Sequence, residues 1–260
     1  MRKFCLLFFL LGLINVISAQ DNYEIQVYAS PTMTKGVTMF ELHSNFTFSG
    51  QKNIIEGVDP TYHSLHETLE ITQGITENFE LGFYLFTNFT NPYGYKVVGT
   101  HIRPRVSVPE KWNWPFGASL SLEFGYQRRE YSSDTWSIEV RPIIDKQWKN
   151  LYVAFNPTFG ISVKPDSNDH APSFEPNIKV SYSINKIALG VEYYGDVGYV
   201  NDIPKLPQQS HALFFVADLD IDPRWEINFG PGIGLTKNTD AFIFKLILGR
   251  RVNWKRSKVP

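Results

Sequence analysis

Long segments with a two-residue hydrophobic period constrain this sequence more than any other feature. From Leu151 to Val163 the odd positions are all apolar, whereas the even positions are mainly small or polar. The same alternation recurs over residues 116–127, 135–146 and 225–235. Because successive side chains of a β-strand point to opposite faces, this pattern predicts strands whose two faces meet different environments.

The length of these segments separates two kinds of β protein. A soluble β-sandwich also alternates, but its strands usually have ~5–6 residues. The segments here run for about 10 to 13 residues, and a tilted strand needs ~9–11 to cross a membrane. The polar face carries charges and small residues, which suits the interior of a transmembrane barrel.

The connections alternate between short and long. Short turns fall at 76–78, 149–150, 185–186 and 222–224, and longer polar loops fall near 49–62, 164–173 and 198–208. Short turns on one side and long loops on the other are typical of outer-membrane barrels. The predicted fold class is therefore all-β, a closed antiparallel transmembrane β-barrel of about twelve strands over residues 37–254.

The twelve predicted strands are 37–48, 63–74, 79–89, 96–108, 116–127, 135–146, 151–163, 174–184, 187–197, 211–221, 225–235 and 240–251. The weakest is 63–74, because Glu67 interrupts its outer face and the spacing of Leu65 and Leu69 also suits a helix. Five prolines take the outward phase within strands, where a closed barrel has no free edge; we expect bulges or strand ends there. They are Pro104, Pro142, Pro157, Pro176 and Pro231.

Residues 1–19 have the three parts of a secretory signal peptide. Arg2 and Lys3 precede an apolar stretch from residue 4 to 14, and small residues follow at 18–19. Cys5, the single cysteine, lies inside the apolar stretch, which argues against a lipoprotein anchor. A buried N-terminal helix is the alternative. The prediction is export to the outer membrane of a Gram-negative cell with cleavage of this peptide.

Residues 20–36 are assigned as a lead-in segment to the barrel. Tyr23 to Ala29 could form a thirteenth strand, but a barrel with both ends in the periplasm needs an even number. The lead-in segment is therefore predicted to lie in the periplasm or inside the lumen. Residues 255–260 are assigned as a C-terminal tail.

Tryptophan and tyrosine residues fall at the two predicted rims. This is expected because amphipathic rings favour the membrane interface. Five of the six tryptophans lie at the periplasmic rim: Trp112, Trp114, Trp148, Trp225 and Trp254. Eight of the thirteen tyrosines lie at the outer rim: Tyr62, Tyr93, Tyr95, Tyr126, Tyr131, Tyr193, Tyr194 and Tyr199.

Charged residues occupy the inward phase of the predicted strands. The candidate lumen-lining residues are Arg103, Arg105, Glu123, Glu139, Arg141, Asp145, Lys179, Glu192, Asp218 and Lys245. Opposite charges on adjacent strands are expected to pair, with Arg103, Arg105, Glu123 and Arg141 forming a ladder. The other inward charges are Glu41, Glu70, Glu80, Glu175, Asp196, Asp220, Glu226 and Arg251.

This assignment gives twelve inward acids against six inward bases. A net negative lumen favours cations if it conducts. The alternative is a salt-bridged interior that stabilises a small barrel and conducts nothing.

Enzyme signals are weak, and no catalytic residue, cofactor or metal site is predicted. His63 and His66 are three residues apart, which places them on opposite faces of a strand and makes a poor metal pair. No Gly-x-Ser-x-Gly nucleophile motif is present. The formal net charge of −1 gives no basic field for nucleic acid.

Several segments together resemble a known group of proteins. They are residues 103–110, 112–115, 141–146, 155–157, 191–195 and 248–251, of which the first reads Arg-Pro-Arg-Val-Ser-Val-Pro-Glu. The chain resembles an uncharacterised family of bacterial outer-membrane β-barrels, similar to transporter barrels linked with phenol-degradation gene clusters. The resemblance implies location and fold, and it transfers no substrate residue.

The sequence therefore predicts an outer-membrane barrel that acts as a passive channel or transporter for small solutes. A non-conducting structural or partner-binding barrel is the first alternative, and an outer-membrane lipid hydrolase is the second. The expected partners are membrane lipid, a small-molecule solute of unknown identity and the outer-membrane assembly machinery, with no nucleic acid.

Overall fold

The alternating segments form twelve strands in a computed structural model that describes residues 22–91, 93–163 and 171–254. Each strand pairs antiparallel with its neighbours in the chain, and β1 pairs with β12 to close the barrel. The strands are β1 (Val37–Ser49), β2 (Ser64–Thr76), β3 (Phe79–Thr90), β4 (Gly94–Ser107), β5 (Gly117–Gln127), β6 (Trp136–Trp148), β7 (Leu151–Ser162), β8 (Ser173–Ile184), β9 (Ile187–Asp196), β10 (Ser210–Leu219), β11 (Trp225–Gly234) and β12 (Phe242–Asn253).

The predicted fold class is confirmed, including the segment that also suited a helix, which forms strand β2. Two short 3₁₀ helices, Glu110–Trp112 and Leu206–Gln208, lie in connections. No helix among the described residues is long and apolar enough to cross a membrane. The predicted signal peptide 1–19, the tail 255–260 and residues 164–170 of one predicted loop lie outside the described residues.

The two ends of the barrel differ in their connections. At the turn end, two-residue turns join β2 to β3, β6 to β7 and β8 to β9, and the barrel begins and ends there at Val37 and Asn253. At the loop end, residues 50–63, 128–135, 197–209 and 235–241 connect the strands. Asn185 takes a left-handed φ of 57° in its tight turn, a conformation that asparagine tolerates better than most residues.

The outward face of the barrel is an apolar surface. Phe83, Phe124 and Phe215 lie in the middle of their strands and are about half exposed, at 49%, 46% and 51%. Such a continuous exposed apolar band fits a lipid environment and does not fit a water-exposed monomer. The five rim tryptophans are exposed, but Tyr194 points into the barrel and is only 5% exposed, so its assignment to the outer rim was wrong.

Three prolines form a row across adjacent strands. Pro157 on β7 lies opposite Pro176 on β8, and the register of β6 and β7 places Pro142 opposite Pro157. The backbone pairing of β6 and β7 stops after Val140 and resumes at Ile144 without a change of register. These prolines therefore mark neither bulges nor strand ends, since a proline that lacks an N–H interrupts the ladder only locally.

The lead-in segment lies inside the barrel and runs along its length. Asn22 Nδ2 donates to Asp240 Oδ2 at the loop end (2.8 Å), and Gly36 N donates to Gly74 O at the turn end (2.9 Å). Tyr23, Ile25 and Tyr28, between these points, are buried. The segment was predicted to lie either in the periplasm or in the lumen, and the structure places it in the lumen.

Phe155→Arg tests which face of β7 meets lipid. Phe155 lies between Ile144 and Ile178 of the adjacent strands, so the change should lower the free energy of unfolding by ~2–4 kcal/mol. Leu151→Arg, at the turn end of the same strand, should cost only ~0–1 kcal/mol. Urea unfolding in lipid or detergent measures both. Equal costs would place Phe155 away from the membrane centre.

Candidate functional site

The lumen is filled by the lead-in segment, whose backbone is bound by side chains of the barrel wall. Asn156 holds Tyr28 at both backbone groups: Tyr28 N donates to its Oδ1 (2.7 Å) and its Nδ2 donates to Tyr28 O (3.1 Å). Thr68 Oγ1 donates to Tyr23 O (2.7 Å) and Lys245 Nζ donates to Ile25 O (2.9 Å). These side chains replace a pairing strand, because buried backbone groups need partners.

Apolar side chains fix the middle of the lead-in segment. Ile25 and Val27 pack in one buried cluster with wall residues that include Phe214 and Ile243. Tyr23 packs in a second cluster with Tyr84, Phe86 and Val98. The inward face of the barrel is therefore partly a dry core, which differs from the wet or ion-paired lumen that the polar alternation predicts.

Arg103 and Arg105 form the first charged cluster around the segment. Glu80 Oε1 accepts from Arg103 Nη1 (2.9 Å) and from Arg105 Nε (2.7 Å). Arg103 also pairs with Glu70. Arg105 then donates to the carbonyl oxygens of Ala29 (2.9 Å) and Pro31 (3.0 Å), so one buried guanidinium joins the wall to the segment.

Arg141 forms the second cluster. Its guanidinium pairs with Glu24 of the lead-in segment (3.1 Å) and with Glu139 of the wall (2.8 Å). The ring of Tyr28 contacts two guanidiniums, with the Cζ atoms of Arg141 and Arg103 at 4.8 Å and 4.9 Å from its centroid. Such contacts are stronger where the cation is desolvated, and the side chains of Arg103 and Arg141 are only 2% and 8% exposed.

Two further charged groups lie around the segment. Asp145 accepts from Ser30 N (2.8 Å) and Ser30 Oγ (2.7 Å), which anchors the segment near the turn end. Lys179 pairs with Glu192 (3.0 Å) and Asp218 (2.8 Å). Glu192 also pairs with Lys245, the lysine that binds the segment at Ile25.

All ten predicted lumen-lining side chains therefore lie in the barrel interior, but the predicted ladder of Arg103, Arg105, Glu123 and Arg141 is wrong. Glu123 contacts His101, while the three arginines bind other acids. Gly82, the cross-strand neighbour of Arg103, leaves room for the guanidinium to reach Glu70 two strands away. Asp220 was also misplaced, since it follows β10 and is exposed. A role for the ten residues in passing a solute stays a prediction.

A cavity of about 500 Å³ remains beside the segment in the turn half of the barrel. Five acids and four bases line it: Glu41, Glu70, Glu80, Asp218 and Glu226 against Arg103, Arg105, Lys179 and Arg251. This lining is nearly balanced in charge, in contrast to the strongly acidic lumen that the sequence suggests. Ser183 and Ala188, which flank the β8–β9 turn, extend the cavity to the turn end.

Sequence reasoning missed the residues of the lead-in segment that make these contacts: Glu24, Tyr28 and Ser30. One signal could have found them. Tyr23 to Ala29 has the composition of a strand, yet the even strand count leaves it without a neighbour. An unpaired apolar stretch in an exported barrel has the lumen as its natural place of burial.

Comparisons with known proteins support the fold. The structure is similar to that of the COG4313 outer membrane channel from Pseudomonas putida F1, with a TM-score of 0.60 and 12% sequence identity over 88% of this chain and 100% of that chain. It is also similar to the KdgM porin, with a TM-score of 0.53 and 10% identity over 82% of this chain and 98% of that chain. No family model matches the sequence, and no curated protein matches it either. The link with phenol degradation stays a prediction.

Glu80→Ala and Glu123→Ala form a matched pair that tests the charge assignments. Removing Glu80 leaves the buried Arg105 without a carboxylate, which should cost ~3–5 kcal/mol of unfolding free energy. Removing Glu123 leaves only His101, which can become neutral, so we expect ~1–3 kcal/mol. Urea unfolding in detergent measures both variants. A larger loss for Glu123→Ala would restore the ladder and contradict the observed pairs.

Proposed function

We propose that this chain is an outer-membrane channel for small solutes, closed in the observed conformation by its own lead-in segment. On this proposal residues 1–19 direct export and are removed, the turn end faces the periplasm and the loop end faces the exterior. Solutes cross when the segment moves away from part of the wall. The ten charged lumen residues then line the path.

One observation carries this proposal: a segment of the same chain crosses the lumen and is held there by noncovalent contacts alone. Ion pairs and hydrogen bonds from Arg105, Arg141, Asp145 and Lys245 hold it. Contacts of this kind can open and reform. The cavity beside the segment gives part of the path without any movement.

The similar solved structures support this class of function. One of them is described as an outer membrane channel and the other as a porin. The near-balance of acids and bases along the cavity favours a weak preference for cations, because the lining carries one more acid than base.

A non-conducting barrel is the second candidate, and one observation favours it. The described inward arginines and lysines nearly all have carboxylate partners, as expected for an interior that stabilises the barrel. In this case the exposed loop-end residues would carry the function by binding a partner. Conductance separates the two candidates.

A reversible disulfide between segment and wall tests the channel proposal. Thr32 Oγ1 and Ser107 Oγ lie 3.0 Å apart, and Cys5 in the predicted signal peptide is the single cysteine of the sequence. In the double variant Thr32→Cys/Ser107→Cys, oxidation should suppress single-channel conductance in planar bilayers, and reduction should restore it.

Two controls accompany this experiment. The single variant Thr32→Cys should conduct equally under oxidising and reducing conditions, because it cannot cross-link the segment. Heat-dependent gel mobility verifies that each variant is folded. A folded wild-type barrel that never conducts, or a double variant indifferent to oxidation, would contradict the proposal.

A further inference from the structure

Glu41, His43 and Glu70 form a buried cluster on β1 and β2, of which only Glu70 belongs to the charged network around the lead-in segment, through Arg103. Glu41 lies directly opposite Glu70 in the β1–β2 ladder, and His43 follows Glu41 on the same inward face. One possible ligand atom from each side chain lies within 4.8 Å of the others. All three residues are buried, with exposures of 6%, 0% and 0%.

The cluster is electrostatically incomplete. Like charges directly opposite each other destabilise an antiparallel pair, and burial increases the cost of leaving them uncompensated. Arg103 and Thr72 both donate to Oε1 of Glu70, which leaves Glu70 Oε2 facing His43 Nε2 at 3.5 Å. No arginine or lysine forms an ion pair with Glu41 among the described residues.

The polar atoms that face each other in this cluster lack partners. Glu41 Oε1, Glu70 Oε2 and both ring nitrogens of His43 are buried without a hydrogen bond. Two of these atoms, Glu70 Oε2 and His43 Nε2, contact each other only at 3.5 Å. Most buried polar atoms in proteins are well paired, so this group of poorly satisfied atoms indicates a missing ligand. A group that accepts electron pairs from two carboxylates and one imidazole at once is a metal cation.

We propose that Glu41, His43 and Glu70 bind a divalent transition-metal ion of the Zn²⁺ class. Two carboxylate oxygens and one imidazole nitrogen suit such an ion, whereas Mg²⁺ and Ca²⁺ favour all-oxygen sites. In a tetrahedral site, ligands at ~2.0–2.2 Å from zinc lie roughly 3.3–3.6 Å from one another. The ligand atoms here lie within 4.8 Å of one another, so the side chains must close in by about 1 Å to bind an ion.

The cavity supplies a route and a fourth ligand position. Glu41 and Glu70 line the cavity that reaches the turn end of the barrel, whereas His43, the next inward residue of β1, is buried and does not line it. A water molecule on the cavity side would complete four-coordination, as in zinc sites that keep an open position. The ion would neutralise the Glu41–Glu70 repulsion beside the closing β1–β12 seam.

Calorimetry on the untagged chain from residue 20, refolded in detergent and stripped with EDTA, tests this site. Titration with ZnCl₂ at neutral pH should show one ion per chain, and the bound state should unfold at a higher temperature. Cobalt should give the visible absorption of a nitrogen- and oxygen-ligated ion. Binding of Mg²⁺ as tight as that of Zn²⁺ would overturn the assignment of His43 as a ligand.

Three variants locate the ion. His43→Gln and Glu41→Gln should each weaken zinc binding by more than about 100-fold, because changes outside the ligand set alone cost about 10–100-fold. His66→Gln is the matched control, because His66 is another buried inward histidine, on β2, with an unpaired ring nitrogen but outside the cluster. It should bind zinc as the wild type does.

His43→Gln decides the result if Glu41→Gln does not fold, since the polar contact that His43 makes, with Glu70 Oε2, is long at 3.5 Å and its loss should destabilise the barrel little. Heat-dependent gel mobility verifies folding. Absence of stoichiometric zinc binding by the folded wild type, or unchanged binding in folded His43→Gln, would overturn the proposal.

Discussion

The rest of the structure depends on how an extended segment without a partner strand is stabilised inside a closed barrel. Its backbone N–H and C=O groups are removed from water and need hydrogen-bond partners. The wall supplies them with side chains: Asn156 at Tyr28, Asp145 at Ser30, Lys245 at Ile25 and Arg105 at Ala29. The charged residues that look like a conducting lining in the sequence are therefore used mainly to bind the chain itself.

The ion pairs and the apolar contacts of the segment contribute differently to the stability of the folded barrel. Burying an ion pair costs desolvation that can cancel the attraction between the charges, but removing one partner is strongly unfavourable. The network of Arg103, Arg105 and Glu80 therefore adds specificity of position more than net stability. Apolar packing of Ile25 and Val27 against Phe214 supplies the favourable burial.

The architecture was predictable because one physical rule covers most of the chain. Alternation on a two-residue period predicts which side chains face lipid and which face the lumen. It correctly places Phe155 on the outside and Arg141 on the inside. The even strand count followed from the need to close the sheet. Even the doubtful strand 63–74 was correct, since the pattern of its neighbours required it.

The interior was less predictable, because alternation predicts the face to which a side chain points but does not predict which residue it contacts there. The pairing of Arg103 with Glu70 depends on the absence of a side chain at Gly82, and the position of Arg141 depends on Glu24 of a segment with no assigned strand. Phe214 and Val216 face inward, where a water-filled lumen would not place them. Each of these features follows from the inserted segment, which the strand pattern alone could not place.

The proposed channel rests on the inserted segment as described, so the state of that segment in solution is the central question. Amide hydrogen exchange followed by NMR on the refolded chain answers it most directly. The amides of Tyr28 and Ser30, bound to Asn156 and Asp145, should exchange far more slowly than those of an unstructured peptide. Exchange of both at the unstructured rate, with the strand amides still protected, would contradict this account.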